Sequence, residues 1–236
     1  MFRPAVLPAT PPANASAESG SPVRVHDRRV PTVRRCPPSG RDRALATVLA
    51  AFATDPLLRW VWPGQERYDG CAPTFFGLLL DLRIEAGEVW VAGPEDSEES
   101  AMGSVAMWDP PGGLYLPAAA ERWAEVHAGF TAAERSAWAF YDDALGVPAT
   151  AGAHWYLGVL ATDPARQGTG LGRAVATPML AAADRAGLPA YLETAKDSNL
   201  AVYRRLGFEP VRDATMPDGG PTCWLMRRDP REVVAG

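Results

Sequence analysis

Lysine is nearly absent. The 236 residues hold one, Lys196, while the other 22 basic residues are arginine. A Walker A loop needs a Gly-Lys-Ser/Thr run and a protein kinase needs a lysine on an early strand, so both classes are excluded. Cysteine is scarce too: Cys36, Cys71 and Cys223 are far apart, odd in number and never spaced C-x-x-C. Neither a disulfide framework nor a cysteine zinc site follows from them. Three scattered histidines, His26, His127 and His154, add no ligand pattern, so no metal is expected. A reducing, cytoplasmic setting fits this cysteine usage. No run approaches the ~20 apolar residues that span a bilayer, and Met1 to Ser21 lacks an apolar signal core. No membrane partner is expected.

What is present describes a globular chain. Hydrophobic residues make up 47% and charged residues 22%, an ordinary soluble balance. Charge is unevenly placed. Residues 1–43 hold eight arginines and three acids, and the formal total of −5 therefore leaves −10 to residues 44–236. An acidic body disfavours nucleic acid and favours a cationic or amine ligand. Residues 1–29, rich in Pro, Ala and Ser, read as a disordered tail. Residues 30–231 read as one domain, and 232–236 as a terminal tail. Nothing specifies an assembly beyond a monomer or homodimer.

Punctuation and periodicity predict the elements. A short strand opens near Pro31 to Val33. Ser39 and Asp42 resemble a capping box ahead of a helix through Phe52, which Asp55-Pro56 stops. A second helix is expected over 72–85 with Gly87 past its end. Strands at 88–92 and 101–108 flank an acidic turn, 93–100. Helices follow near 118–129 and 131–144, the second with Thr131 as N-cap and Glu134 three residues on. Then come a strand at 154–162, a helix at 170–186 in which Pro178 predicts a kink, a strand at 190–194, a helix at 199–206 and strands near 210–212 and 223–226. The loose alternation predicts an α/β fold with mixed pairing.

Chemistry concentrates in Gln167-Gly168-Thr169-Gly170-Leu171-Gly172-Arg173, a glycine-rich turn between strand and helix. Bare amides at a helix N-terminus suit a phosphate, and glycine lets its oxygens approach. G-x-G-x-G alone arises by chance in about one such chain in five; the strand before it and the helix after it add weight. A dinucleotide-binding fingerprint is the rival reading, with Glu193 as its ribose-binding acid. Arg173 stands where its last glycine belongs, and only 43 residues follow Glu193, too few for a doubly wound sheet.

Gln167, Gly170 and Gly172 are spaced as in the Q/R-x-x-G-x-G/A acetyl-CoA loop, and the chain thereby resembles the GNAT superfamily of N-acetyltransferases. Tyr191-Leu192-Glu193-Thr194 and Asn199 to Phe208 are similar to that family's fifth strand and the helix after it. Val89 to Ala92, Arg185 to Ala190 and Trp224 to Arg228 look most like puromycin acetyltransferase and its relatives, an antibiotic-resistance group. The resemblance spans about 31–230 and is most specific after Trp155.

It implies a GNAT fold: a mixed, mostly antiparallel sheet with splayed fourth and fifth strands and flanking helices. Acetyl-CoA, the co-substrate, would lie along Leu160, Ala161 and Thr162, with its pyrophosphate on amides of 168–173 and its arm beside Asn199. The acetyl group would pass directly to a primary amine of a small molecule, a drug or metabolite, with a backbone N–H near Leu160 holding the oxyanion. Tyr203 matches the family's general acid, which returns a proton to the thiolate (pKa ~8.5 against ~10 for tyrosine). By spacing alone Tyr203 also reads as core, beside Leu200, Leu206 and Phe208. The fourth strand lacks the glutamate base of histone-type members. Glu193 is the nearest carboxylate, with His154 and a water chain as alternatives. Trp60, Trp62 and Trp108 lie where the family builds its acceptor pocket, and aromatic walls suit a partly apolar amine.

Overall fold

Residues 31–93, 102–114, 116 and 119–232 are described by the computed structural model. The tail 1–29, the acidic turn beyond Gly93 and residues 233–236 lie outside the described residues. Seven strands form one sheet: β1 (Thr32–Arg35), β2 (Val89–Gly93), β3 (Ser104–Asp109), β4 (Trp155–Thr162), β5 (Ala190–Thr194), β6 (Glu209–Thr215) and β7 (Thr222–Arg228). Their order is β1-β2-β3-β4-β5-β7-β6. Every pairing is antiparallel except β4 with β5. This is the α/β, mostly antiparallel fold that the resemblance implied, and it is not a doubly wound dinucleotide-binding sheet.

Helices cover both faces. One core lies against α1 (Arg41–Phe52), α2 (Pro56–Val61), α3 (Gln65–Glu85), α4 (Ala119–Ala128) and α5 (Ala132–Leu145); the other lies under α6 (Leu171–Ala186) and α7 (Asp197–Leu206). The period of two along β5 sorts its residues between them. Ala190 and Leu192 join the α6–α7 core, and Tyr191 joins the opposite one, so Glu193 shares Tyr191's face and Thr194 that of Leu192.

Three local expectations are corrected. Asp55-Pro56 does end α1, but it also starts α2: the Asp55 carboxylate accepts from the amides of Leu57 (3.0 Å) and Leu58 (3.3 Å), and Pro56 needs no donor in the first turn. Helix α3 begins at Gln65, not Ala72, and passes through Pro73. Tertiary contacts hold its first turns, since Tyr68 donates to the Leu49 carbonyl (3.0 Å) and Arg67 pairs with Glu134. Ser39 caps nothing; Pro38–Gly40 form a 3-10 turn, and Gly40 precedes α1 without a side-chain bond. The capping box at Thr131 and Glu134 is present in full.

Candidate active site

Strands β4 and β5 pair at only two rungs, Trp155 with Ala190 and Tyr156 with Tyr191. Beyond them the strands part. The cause is local to β4: its register to β3 runs Met107 with Val159 and then Trp108 with Leu157, which leaves Gly158 as an extra residue. Such a bulge bends its strand and strengthens the twist. Glycine eases the packing there, because a Cβ would stand 3.2 Å from both Arg83 Nη2 and Tyr156 Cε1 and force them to give. Leu160, Ala161 and Thr162 therefore run along the open edge of β4, without a strand partner on the β5 side.

The glycine-rich turn lies just past that edge. Gly168 and Gly170 have φ of +76° and +90°, conformations that favour glycine. Gly170 precedes α6 with no side-chain cap, and the first intrahelical bond runs from the Ala174 amide to the Gly170 carbonyl (3.0 Å). The amides of Leu171, Gly172 and Arg173 thus lack intrahelical partners. Gln167 to Gly170 are exposed, so Thr169, whose hydroxyl donates to the Arg166 carbonyl (2.6 Å), sits at an open helix N-terminus. A Cβ on Gly172 would meet Thr162 Oγ1 at 3.2 Å, so glycine lets the turn close onto the end of β4. Helix α6 continues through Pro178 without a break.

Glu193 and Tyr203 flank the parting from opposite faces. Tyr203 lies in the α6–α7 core at 7% exposure, its ring edge-on to Phe208 at 6.2 Å between centroids. Gly207, with φ of +97°, ends α7 and turns Phe208 back onto that ring. Burial, with the nearby Asp55 charge, holds the Tyr203 phenol far above its usual range, so it keeps its proton. Asn199 Nδ2 donates to Thr194 Oγ1 (3.2 Å), which fixes its amide at the end of β5.

On the other face, Glu193 accepts a hydrogen bond from the Tyr156 hydroxyl. Burial pushes its carboxyl up to about 7; that bond pulls it down, and the charges of Asp142 and Asp109 push it up again. The two residues line a cavity of about 690 Å³ with Asp109, Tyr141, Asp142, His154 and the turns at 110–113 and 146–153. Asp109 pairs with buried Arg83, with Nε–Oδ1 at 2.7 Å and Nη2–Oδ2 at 2.9 Å. His154 bonds the Gly152 carbonyl through Nδ1 (2.7 Å) and packs edge-on to Tyr191.

The tryptophans sit elsewhere. Trp62 and Trp108 are wholly buried. Trp62 centres a cluster with Phe75, Phe130 and Trp138, and Trp108 packs under α6, so neither offers surface to a ligand. Half-buried Trp60 donates to the Pro217 carbonyl (3.1 Å) and packs against Gly220. The cavity's aromatic walls are Tyr141, Tyr156 and His154 instead. Tyr141 and Asp142 escaped sequence reasoning because nothing local distinguishes them from the rest of an amphipathic helix. Among the described residues, no group of three or more His, Cys, Asp or Glu side chains is placed to hold a metal.

A model of the acetyltransferase (GNAT) family matches residues 55–208, and the chain belongs to that family. It is an acyltransferase of the N-acetyltransferase type. Among solved structures it is similar to a Corynebacterium glutamicum protein described as histone acetyltransferase HPA2 and related acetyltransferase. The identity is 25% and the TM-score 0.59, over 87% of this chain and 99% of that one. It shares its fold with a polyamine N-acetyltransferase from Drosophila melanogaster (14% identity, TM-score 0.60, 84% and 99% covered) and with arylalkylamine N-acetyltransferase 2 from Aedes aegypti (13%, 0.61, 86% and 100%).

Proposed function

We propose that the protein transfers the acetyl group of acetyl-CoA directly to a primary amine of a small molecule, as its resemblance to puromycin acetyltransferase implies. The observation that carries this reading is the parting of β4 from β5, with Glu193 on one face of the gap and Tyr203 on the other. Amides from Gly168 to Arg173 would take the pyrophosphate, where bare N–H groups and the helix dipole meet. The free edge of Leu160, Ala161 and Thr162 would align the pantetheine arm, with Asn199 beside it. An amide near Leu160 would hold the oxyanion.

Glu193 takes the proton of the incoming ammonium, and the freed amine attacks the thioester carbon. A C–N bond forms as the carbonyl becomes an oxyanion. The C–S bond then breaks as Tyr203 hands its proton to the departing sulfur; the surplus proton on the new amide nitrogen passes to the phenolate and restores Tyr203, and Glu193 releases its own proton to solvent. A base titrating near 7 is matched to neutral pH, and the Tyr203 phenol, which stays protonated, holds the proton that the thiolate needs. The acceptor enters through the cavity, whose Asp142 and Glu193 favour a cation and whose tyrosines favour a partly apolar one. Free thiol released from acetyl-CoA in the presence of a panel of amines tests the reading. Tight acetyl-CoA binding with amine-dependent release supports it, and no binding below millimolar removes it.

A further inference from the structure

We propose that Tyr156 is a positioning residue for acetyl transfer: its hydroxyl bonds the Glu193 carboxylate, aims it into the gap and keeps it able to accept a proton. The inference rests on the reading of Glu193 as base. Its grounds are geometric. Tyr156 occupies the last paired rung between β4 and β5, so its side chain is fixed just where the strands begin to part. On one side its ring is bounded by Arg83, which the missing Cβ of Gly158 admits. Arg83 is itself locked by Asp109 and by the Leu79 carbonyl (3.0 Å). The hydroxyl at the far end of this braced ring meets Glu193.

No other side chain among the described residues hydrogen-bonds that carboxylate. The titratable groups packed around Glu193 push its proton affinity up or leave it alone. From β3 comes Asp109, paired to Arg83 of α3; from α5 come Tyr141 and Asp142; from β7 comes Cys223; and His154 stands at the rim. Of these only Arg83 is a fixed cation, and it is spent on Asp109. Among side chains only the Tyr156 hydroxyl directly stabilises the ionised form, beside the residue's own backbone amide, since an O–H donated to a carboxylate favours the charge. Without it, burial would leave Glu193 protonated and idle at neutral pH. Phenol and carboxylate thus form one unit, in which only the carboxylate touches the acceptor.

Tyr156→Phe keeps the ring and removes the donor. The test is the pH profile of kcat/KM for wild type, Y156F and E193Q with one amine, so that the amine's own ionisation is common to all three. The acidic limb of Y156F should move up by about one pH unit, with turnover about tenfold lower near pH 6.5 and within about threefold of wild type on the alkaline plateau. A merely structural tyrosine would lower every point alike. A Y156F limb at the wild-type position, while E193Q loses its limb, overturns the role of Tyr156 and leaves the base standing. A limb that persists in E193Q shows instead that the base itself is misassigned. If Y156F does not fold, infrared titration of wild type against E193Q decides: a strongly hydrogen-bonded Glu193 carboxyl band supports the proposal, and a free one overturns it.

Discussion

Tyr203 is packed as a core residue and proposed as a catalytic one, and one substitution separates the roles. Tyr203→Phe keeps the contact with Phe208 and removes only the hydroxyl, to which nothing among the described residues bonds. Stability should change little. If the phenol protonates the leaving thiolate, kcat should fall by roughly 10²–10⁴ while acetyl-CoA affinity holds, because the lost interaction belongs to the transition state. Turnover within threefold of wild type would return Tyr203 to the core. Trp62 is the contrasting case. It is wholly buried among Phe75, Phe130 and Trp138, so Trp62→Ala should cost about 3–5 kcal/mol in denaturant unfolding. A tryptophan whose loss spared stability and raised only the acceptor KM would contradict that placement.

Among the elements, the glycine-rich turn makes the clearest prediction. A side chain at Gly170 would meet no atom within 4 Å, but φ of +90° strains any branched residue there. Gly170→Val should therefore raise the acetyl-CoA KM strongly with an unchanged far-UV spectrum; an unaltered KM would move the pyrophosphate elsewhere. This turn, α6 and α7 were legible in the sequence because glycine punctuates them and apolar residues repeat along their buried faces. Helix α2 and the start of α3 were not. Asp55-Pro56 reads as a stop although the same pair also starts a helix, and the turns before Ala72 are held by partners of Tyr68 and Arg67 that lie far along the chain. The order Glu193 then Tyr203 could be read from the chain. That Tyr156 faces Glu193 could not, since it depends on a bulge and a strand register that only the assembled sheet defines.

Across the whole molecule, two kinds of carboxyl pull stability in opposite directions with pH. Arg228, buried and bidentate to Asp184 at 2.7 Å, holds that carboxyl below its ordinary 3.8, and Arg67 does the same for Glu134 from 4.5. Their contribution is complete above those unfolded values and is lost as pH falls through the folded ones. Glu193 is raised from 4.5 to about 7. The folded state therefore binds its proton more tightly, and the stability this gives below 4.5 is lost as pH rises to 7, by up to about 3 kcal/mol. Wild type should thus lose thermal stability between these pH values, and E193Q should lose less. The same carboxyl is the proposed base, so the pH dependence of kcat/KM in wild type and E193Q tests the account most directly. Wild type should show an acidic limb near pH 7, and E193Q should be slow and without it. An E193Q enzyme of near wild-type rate with its limb intact would contradict the account.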